Sequence, residues 1–192
     1  MSARARRLHQ HRHGAFTLVE LMVVLAVGAV LLAAGVPAMG ELIARHRLRT
    51  TAADLFAAID LTRSQAIARG RRVMLMPLDP SGTDWNQGWA VFVDKNASLD
   101  LDPDDELIFR QGPVAAGIVI RAAFSSPHPP SYISYNSAGR SCGASNSMAA
   151  RWGTVSVQAG PAMRHIKINM LGRVRICDPS VETTTCSGLA AE

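Results

Sequence analysis

Near the end of the chain, Gly172-Arg173-Val174-Arg175 sets two guanidinium groups at positions i and i+2. On a β-strand such residues share a face about 7 Å apart, close to the phosphate spacing along one strand of DNA, so two guanidinium forks could grip adjacent phosphates. The surrounding charge is segregated. From Gln111 to Cys177 there are seven bases (Arg121, Arg140, Arg151, Arg164, Lys167, Arg173, Arg175) and no carboxylate in 67 residues. Asp79 to Glu106, by contrast, holds eight acids and a single base, Lys95. A surface of one sign without internal counter-charge attracts polyanions. Arg140, Arg151 and Lys167 therefore join Gly172, Arg173 and Arg175 as candidate nucleic-acid contacts. Binding of this kind is salt-sensitive and indifferent to base sequence, because phosphates carry no base information. The same arginines also suit a solvated strand face, or one paired with the acidic 94–106 segment of the same or a neighbouring copy.

Other reactive residue types are less organised. In Asp94-Lys95-Asn96-Ala97-Ser98-Leu99-Asp100-Leu101-Asp102-Pro103-Asp104-Asp105-Glu106, the alternating oxygens of Asp100, Asp102 and Asp104, with Glu106 nearby, loosely imitate a calcium loop. The sixth-position glycine is missing, Pro103 stiffens the turn, and the spacing to a bidentate Glu is wrong, so the stretch reads as a solvated loop. The cysteines at 142, 177 and 186 fit an oxidising compartment and allow three pairings. The favoured pair, Cys177 with Cys186, would pin the C-terminal tail beside Arg173 and Arg175 and leave Cys142 over. His46, His128 and His165 are isolated, and Trp85, Trp89 and Trp152 suit either base stacking or packing. No nucleophile elbow, phosphate loop, Cys-x-x-Cys or His-Glu-x-x-His is present, so no enzyme, cofactor or metal site is expected.

One carboxylate stands apart. Leu21 to Gly40 is a run of 20 residues without a charge; as a helix it spans about 30 Å, the thickness of a bilayer's hydrocarbon core. Glu20 sits at the lip of this run, where an unpaired carboxylate is costly and usually functional. An α-amino group is its natural partner among apolar helices, and an amine from an adjoining subunit would also set axial register. The basic residues ahead of the run (Arg4, Arg6, Arg7, Arg12) place that end in the cytoplasm and everything after Gly40 outside. An ordinary signal peptide or single-pass anchor shares those features but leaves Glu20 unexplained and the run too long for a signal core. Without its first 15 residues the chain has 16 basic and 15 acidic side chains, so bulk basicity argues nothing; only the distribution does.

The elements that must position these groups follow from periodicity. Pro37 should bend or loosen the apolar helix near its outer end. Beyond it, 41–69 continues as an amphipathic helix, with Leu48, Ala52, Leu55, Ile59, Thr62, Ala66 and Ile67 on one stripe and Gly70 as the stop. From Arg72 the period changes to strands: Val73–Met76, Trp89–Val93, Glu106–Arg110, Ile118–Phe124, Tyr132–Tyr135, Thr154–Val157, His165–Asn169 and Val174–Cys177. A helix followed only by antiparallel strands predicts an α+β domain with the helix packed on the sheet.

Gly14-Ala15-Phe16-Thr17-Leu18-Val19-Glu20-Leu21-Met22 resembles the prepilin cleavage and methylation signature of type IV pilins and type II secretion pseudopilins. The resemblance implies a leader, 1–15, removed by a membrane-embedded prepilin peptidase, with cleavage after Ala15 or after Gly14; the family usually has Gly where Ala15 stands. It further implies a methylated Phe16 and an assembly role for Glu20. Arg63-Ser64-Gln65-Ala66, Gly88-Trp89-Ala90-Val91-Phe92-Val93-Asp94 and Gly172-Arg173-Val174-Arg175 are similar to FimT/FimU-type minor pilins and the GspH minor pseudopilin. In FimT-like members a C-terminal Gly-Arg-x-Arg element is associated with DNA binding during uptake by competent bacteria. The implied organisation is a leader, 1–15, an assembly and transmembrane half, 16–40, and a globular domain, 41–192. That domain comprises the helix 41–69, a β-rich region 72–178 and a tail 179–192. The implied setting is the inner membrane and then an extracellular pilus, or a type II secretion system. The implied partners are other pilins, the peptidase and DNA; a purely structural or priming role without DNA is the alternative.

Overall fold

The computed structural model describes residues 17–186, the side chains of residues 34–38 aside. The processing residues Gly14, Ala15 and Phe16 lie outside the described residues. Helix α1, Leu18–Arg69, starts on a cap in which the Glu20 N–H donates to Thr17 Oγ1 at 3.2 Å. Glu20 itself is exposed in the first turn, at the positive end of the helix dipole. The helix continues through position 37, the expected point of loosening. Gly70, with a φ of +63°, ends it: the Arg71 N–H reaches the Ala66 carbonyl at 3.2 Å and the Gly70 N–H reaches Ile67.

The chain divides into two units, Met1–Glu41 and Leu42–Glu192. In the first, Leu18, Val19, Leu21, Met22, Val23, Val24, Leu25, Val27, Val30, Leu31 and Leu32 are each between 53% and 73% exposed. A helix that is apolar on every side needs lipid or other helices around it. Among the described residues, no helical stretch is long and apolar enough to cross a membrane; the span expected over 16–40 falls partly outside them. Position 16 and the side chains of 34–38 within that run are outside the described set.

The second unit is α+β. Two four-stranded antiparallel sheets are built from β1 (Val73–Pro77), β2 (Trp89–Val93), β3 (Glu106–Gln111) and β5 (Ile133–Tyr135), and from β4 (Ile118–Phe124), β6 (Gly153–Ala159), β7 (Ala162–Ile168) and β8 (Val174–Cys177). Their orders are β3-β2-β1-β5 and β4-β6-β7-β8. Leu48, Ala52, Leu55, Ile59 and Ala66 of α1 meet Val73, Leu75, Val91 and Val93 of one sheet and Ile120, Val155, Val157, Ile166 and Ile168 of the other in one core. Thr62 shares the stripe by returning its hydroxyl to the Ala58 carbonyl at 2.7 Å. Ile67, expected on it, is 52% exposed, because a step of one residue from Ala66 turns it away by about 100°.

Strands β1 and β2 are buried on both faces. Their alternate residues Met74, Met76, Ala90 and Phe92 form a second cluster with Ala144, against which Leu99, Leu101 and Tyr132 pack. The second sheet has only one core face. In β6 and β7 the alternation of Val155 and Val157 with Thr154 and Ser156, and of Ile166 and Ile168 with His165 and Lys167, separates core from outer face.

Candidate nucleic-acid interface

The outer face of the second sheet carries the basic groups. Register places Lys167 opposite Arg175 on one side and opposite Thr154 on the other, so these three form one row across β6, β7 and β8. The link from β7 to β8 is a tight turn closed by Asn169. Its side-chain carbonyl accepts the N–H groups of Leu171 at 3.0 Å and Arg173 at 2.9 Å, and its backbone carbonyl accepts the Gly172 N–H at 2.9 Å. Arg173 leaves this turn just before β8 begins, two residues ahead of Arg175. Arg173, Arg175 and Lys167 then line a cleft of about 590 Å³ together with Trp152, Thr154 and Thr185. Trp152 is 38% exposed, so an apolar ring flanks three cationic side chains. Phosphate pairing and base stacking are both within the chemistry of such a cleft.

The tail enters this site. Cys177 and Cys186 are disulfide-bonded, the pairing favoured from sequence, and they bring Glu182 to 3.3 Å from the Arg175 guanidinium. The same guanidinium donates to the Thr185 carbonyl. Asp178, also in the tail, pairs with Arg164. A hydrogen bond from the Ser180 hydroxyl holds the Asp178 carboxyl below its ordinary range against the opposing effect of burial, and the Ser180 N–H and Arg164 add to the lowering. The acidic 94–106 segment binds elsewhere: Glu106 pairs with Arg69 and Asp94 with Arg72.

The remaining expected contacts divide. Arg140 is exposed and leaves a turn, Asn136–Arg140, that repeats the Asn169–Arg173 turn bond for bond. Arg151 is a correction. It is only 4% exposed, and its guanidinium stacks 3.8 Å from the Tyr132 ring centroid and 4.5 Å from that of Phe124. It donates to the carbonyls of Tyr132 and Ser126, and burial lowers its pKa. Arg151 therefore fastens two loops together and offers DNA nothing. Gly172 is itself buried. Cys142 is a free, fully buried thiol, and burial raises its pKa.

Three residues escaped the sequence reading. Asn136 and Asn169 build the turns, and the repeated Asn-x-x-Gly-Arg in 136–140 and 169–173 was the available signal. Glu182 is the third, and nothing in its local spacing marks it.

Residues 51–172 match the family model described as type II transport protein GspH, and residues 10–36 match the prokaryotic N-terminal methylation motif. No curated protein matches the chain. Among solved structures, the type IV minor pilin FimU of Pseudomonas aeruginosa is similar at 20% identity and a TM-score of 0.51, over 71% of this chain and 92% of that one. The minor pseudopilin EpsH of the Vibrio cholerae type 2 secretion system is similar at 13% identity and a TM-score of 0.48, over 69% and 98%.

Proposed function

The chain belongs to the GspH family and is a minor pilin or pseudopilin, a structural subunit rather than an enzyme; from that premise we propose that it is a minor type IV pilin whose basic cleft holds DNA during uptake. The observation that carries this reading is the convergence of Lys167, Arg173 and Arg175 around Trp152 on one outer sheet face. In this reading the leader 1–15 is removed by the prepilin peptidase and the new Phe16 terminus is methylated. The apolar half of α1 rests in the inner membrane with 41–192 in the periplasm. Glu20 then meets the amine of an adjoining pilin as the subunit enters the pilus, a pairing supported by its exposure beside an apolar helix surface. The grip is on phosphates, so any DNA sequence serves.

The test uses the full chain in detergent micelles and a double-stranded oligonucleotide at low salt. Arg173→Ala/Arg175→Ala should weaken binding strongly, and a strain carrying it should lose transformation while still assembling pili. Unchanged binding would remove the assignment.

A second reading is favoured by the tail. Glu182 and the Thr185 carbonyl already occupy Arg175, which suits a structural subunit of a pilus or of a type II secretion system that touches no DNA. Deletion that stops protein export and leaves transformation intact would select it.

A further inference from the structure

Between β2 and β3 the chain makes a loop, 94–105, closed by its own side chains. Its first residue, Asp94, is 8% exposed and its side chain wholly buried. One carboxylate oxygen, Oδ2, accepts the Leu99 N–H at 3.2 Å and stands 4.0 Å from the Arg72 guanidinium. The other, Oδ1, is buried and has no hydrogen-bond partner. A carboxylate oxygen withdrawn from water without a donor is costly, and a cation is the usual remedy.

We propose that the loop is a calcium site with Asp94 as its first ligand. Counted from Asp94, oxygen-bearing residues fall at the first, third, fifth, seventh, ninth and twelfth positions: Asp94, Asn96, Ser98, Asp100 through its carbonyl, Asp102 and Asp105. This is the ligand spacing of a twelve-residue calcium loop. The sixth position, where such loops place glycine for a sharp turn, is Leu99, and it adopts the left-handed conformation at φ +64°. The Leu99 side chain packs against the second apolar cluster, which holds the residue there. Pro103 falls at the tenth position, between ligands. The earlier frame of Asp100, Asp102, Asp104 and Glu106 is thus displaced.

Donors of the loop itself hold several of these oxygens, while the carboxylates of Asp94, Asp102 and Asp105 do not all lie within 4.8 Å of one another, so the ion would draw them together. Asn96 Oδ1 accepts the Ser98 N–H at 3.0 Å, and Ser98 Oγ accepts the Asp100 N–H at 3.2 Å. Asp105 accepts the N–H groups of Lys95 and Asp102, each at 3.0 Å, which ties the end of the loop to its start. The Asn96 amide donates to Asp102 at 2.9 Å, a bond the ion would replace. Two cations face the loop: Arg72 at Asp94, and Lys95, whose ammonium is turned to the Asp104 carbonyl. The five loop carboxylates, Asp94, Asp100, Asp102, Asp104 and Asp105, outnumber them. An aspartate in place of glutamate at the twelfth position reaches less far, which puts the dissociation constant at about 10⁻⁴–10⁻³ M, the range of extracellular calcium modules.

The full chain in detergent micelles, freed of divalent ions with a chelator, is titrated with calcium chloride by calorimetry and by the shift of its thermal midpoint. One equivalent should bind with a midpoint increase, and magnesium at equal concentration should not substitute. Asn96→Ala and Asp105→Asn, chosen because neither removes the buried Asp94, should weaken calcium binding about tenfold or more. Absence of heat and of a midpoint shift up to about ten times the upper constant would overturn the site. So would wild-type affinity in Asp105→Asn.

Discussion

Gly172 lies directly against Gly139: a β-carbon at position 172 would come within 2.6 Å of the Gly139 carbonyl oxygen and 2.7 Å of the Tyr135 ring. The two Asn-x-x-Gly-Arg turns are therefore packed glycine to glycine, and Tyr135 seals the contact by donating its hydroxyl to the Gly172 carbonyl at 3.2 Å. Each turn ends on an exposed arginine, Arg140 or Arg173. Glycine at 172 is required twice over, by close approach and by a φ of +77°.

Gly172→Ala should destabilise the domain by about 2–4 kcal/mol, since left-handed strain alone is worth about 1–3 and the clash adds to it. Gly160→Ala is the matched control: its φ is +56°, but a β-carbon there meets nothing within 4 Å. It should cost about 1 kcal/mol. Thermal melts of the two variants separate the contributions.

Arg151→Ala should lower stability by about 2–4 kcal/mol, because it empties a cation site between two rings and leaves the Tyr132 and Ser126 carbonyls without a donor. The folded fraction should bind DNA as tightly as the wild type. Affinity lost in proportion to that of Arg173→Ala would place Arg151 in the interface after all.

Reduction of Cys177–Cys186, or Cys186→Ala, should cost about 2–3 kcal/mol, the loop entropy of so short a closure. It also frees the tail that brings Glu182 to Arg175. DNA affinity at low salt should therefore rise rather than fall, as should that of Glu182→Gln. Titrations with and without a reductant check this.

Asp79 and Asp178 give the domain an acid limb. Burial acts to raise the Asp79 pKa, but hydrogen bonds from the Ser81 hydroxyl and the N–H groups of Asp84, Thr83 and Ser81 outweigh it and leave the value lowered. Asp178 is lowered as well. A carboxyl whose folded value lies below its unfolded one contributes stability above the unfolded value, about pH 4, and loses it as pH falls through the folded value. Melts between pH 7 and pH 2 should show stability falling below about pH 4. The fall should be shallower in Asp79→Asn and Asp178→Asn.

The strands and the helix were legible because period and punctuation are local: Trp89–Val93, Ile118–Phe124 and Val174–Cys177 end where the sequence places them. Lys167 and Arg175 were legible as bases, but their pairing came from register across β7 and β8, which no single segment encodes. Arg151 was misplaced for the same reason, since its rings arrive from elsewhere in the chain. The acid-free stretch also misled in part. It ends at Cys177, and the first carboxylates beyond it, Asp178 and Glu182, fold back onto Arg164 and Arg175. Segregation along the chain is thus partly undone in space.

The central claim is that Arg173 and Arg175 hold DNA phosphates from the outer sheet face. Its most direct test is the affinity of the full chain for a duplex across a salt series, beside Arg173→Ala/Arg175→Ala. Each lost phosphate contact should flatten the slope of log affinity against log salt by about one, so the double variant should lose about two and bind weakly at every sequence. Equal slopes and affinities for the two proteins would contradict the account.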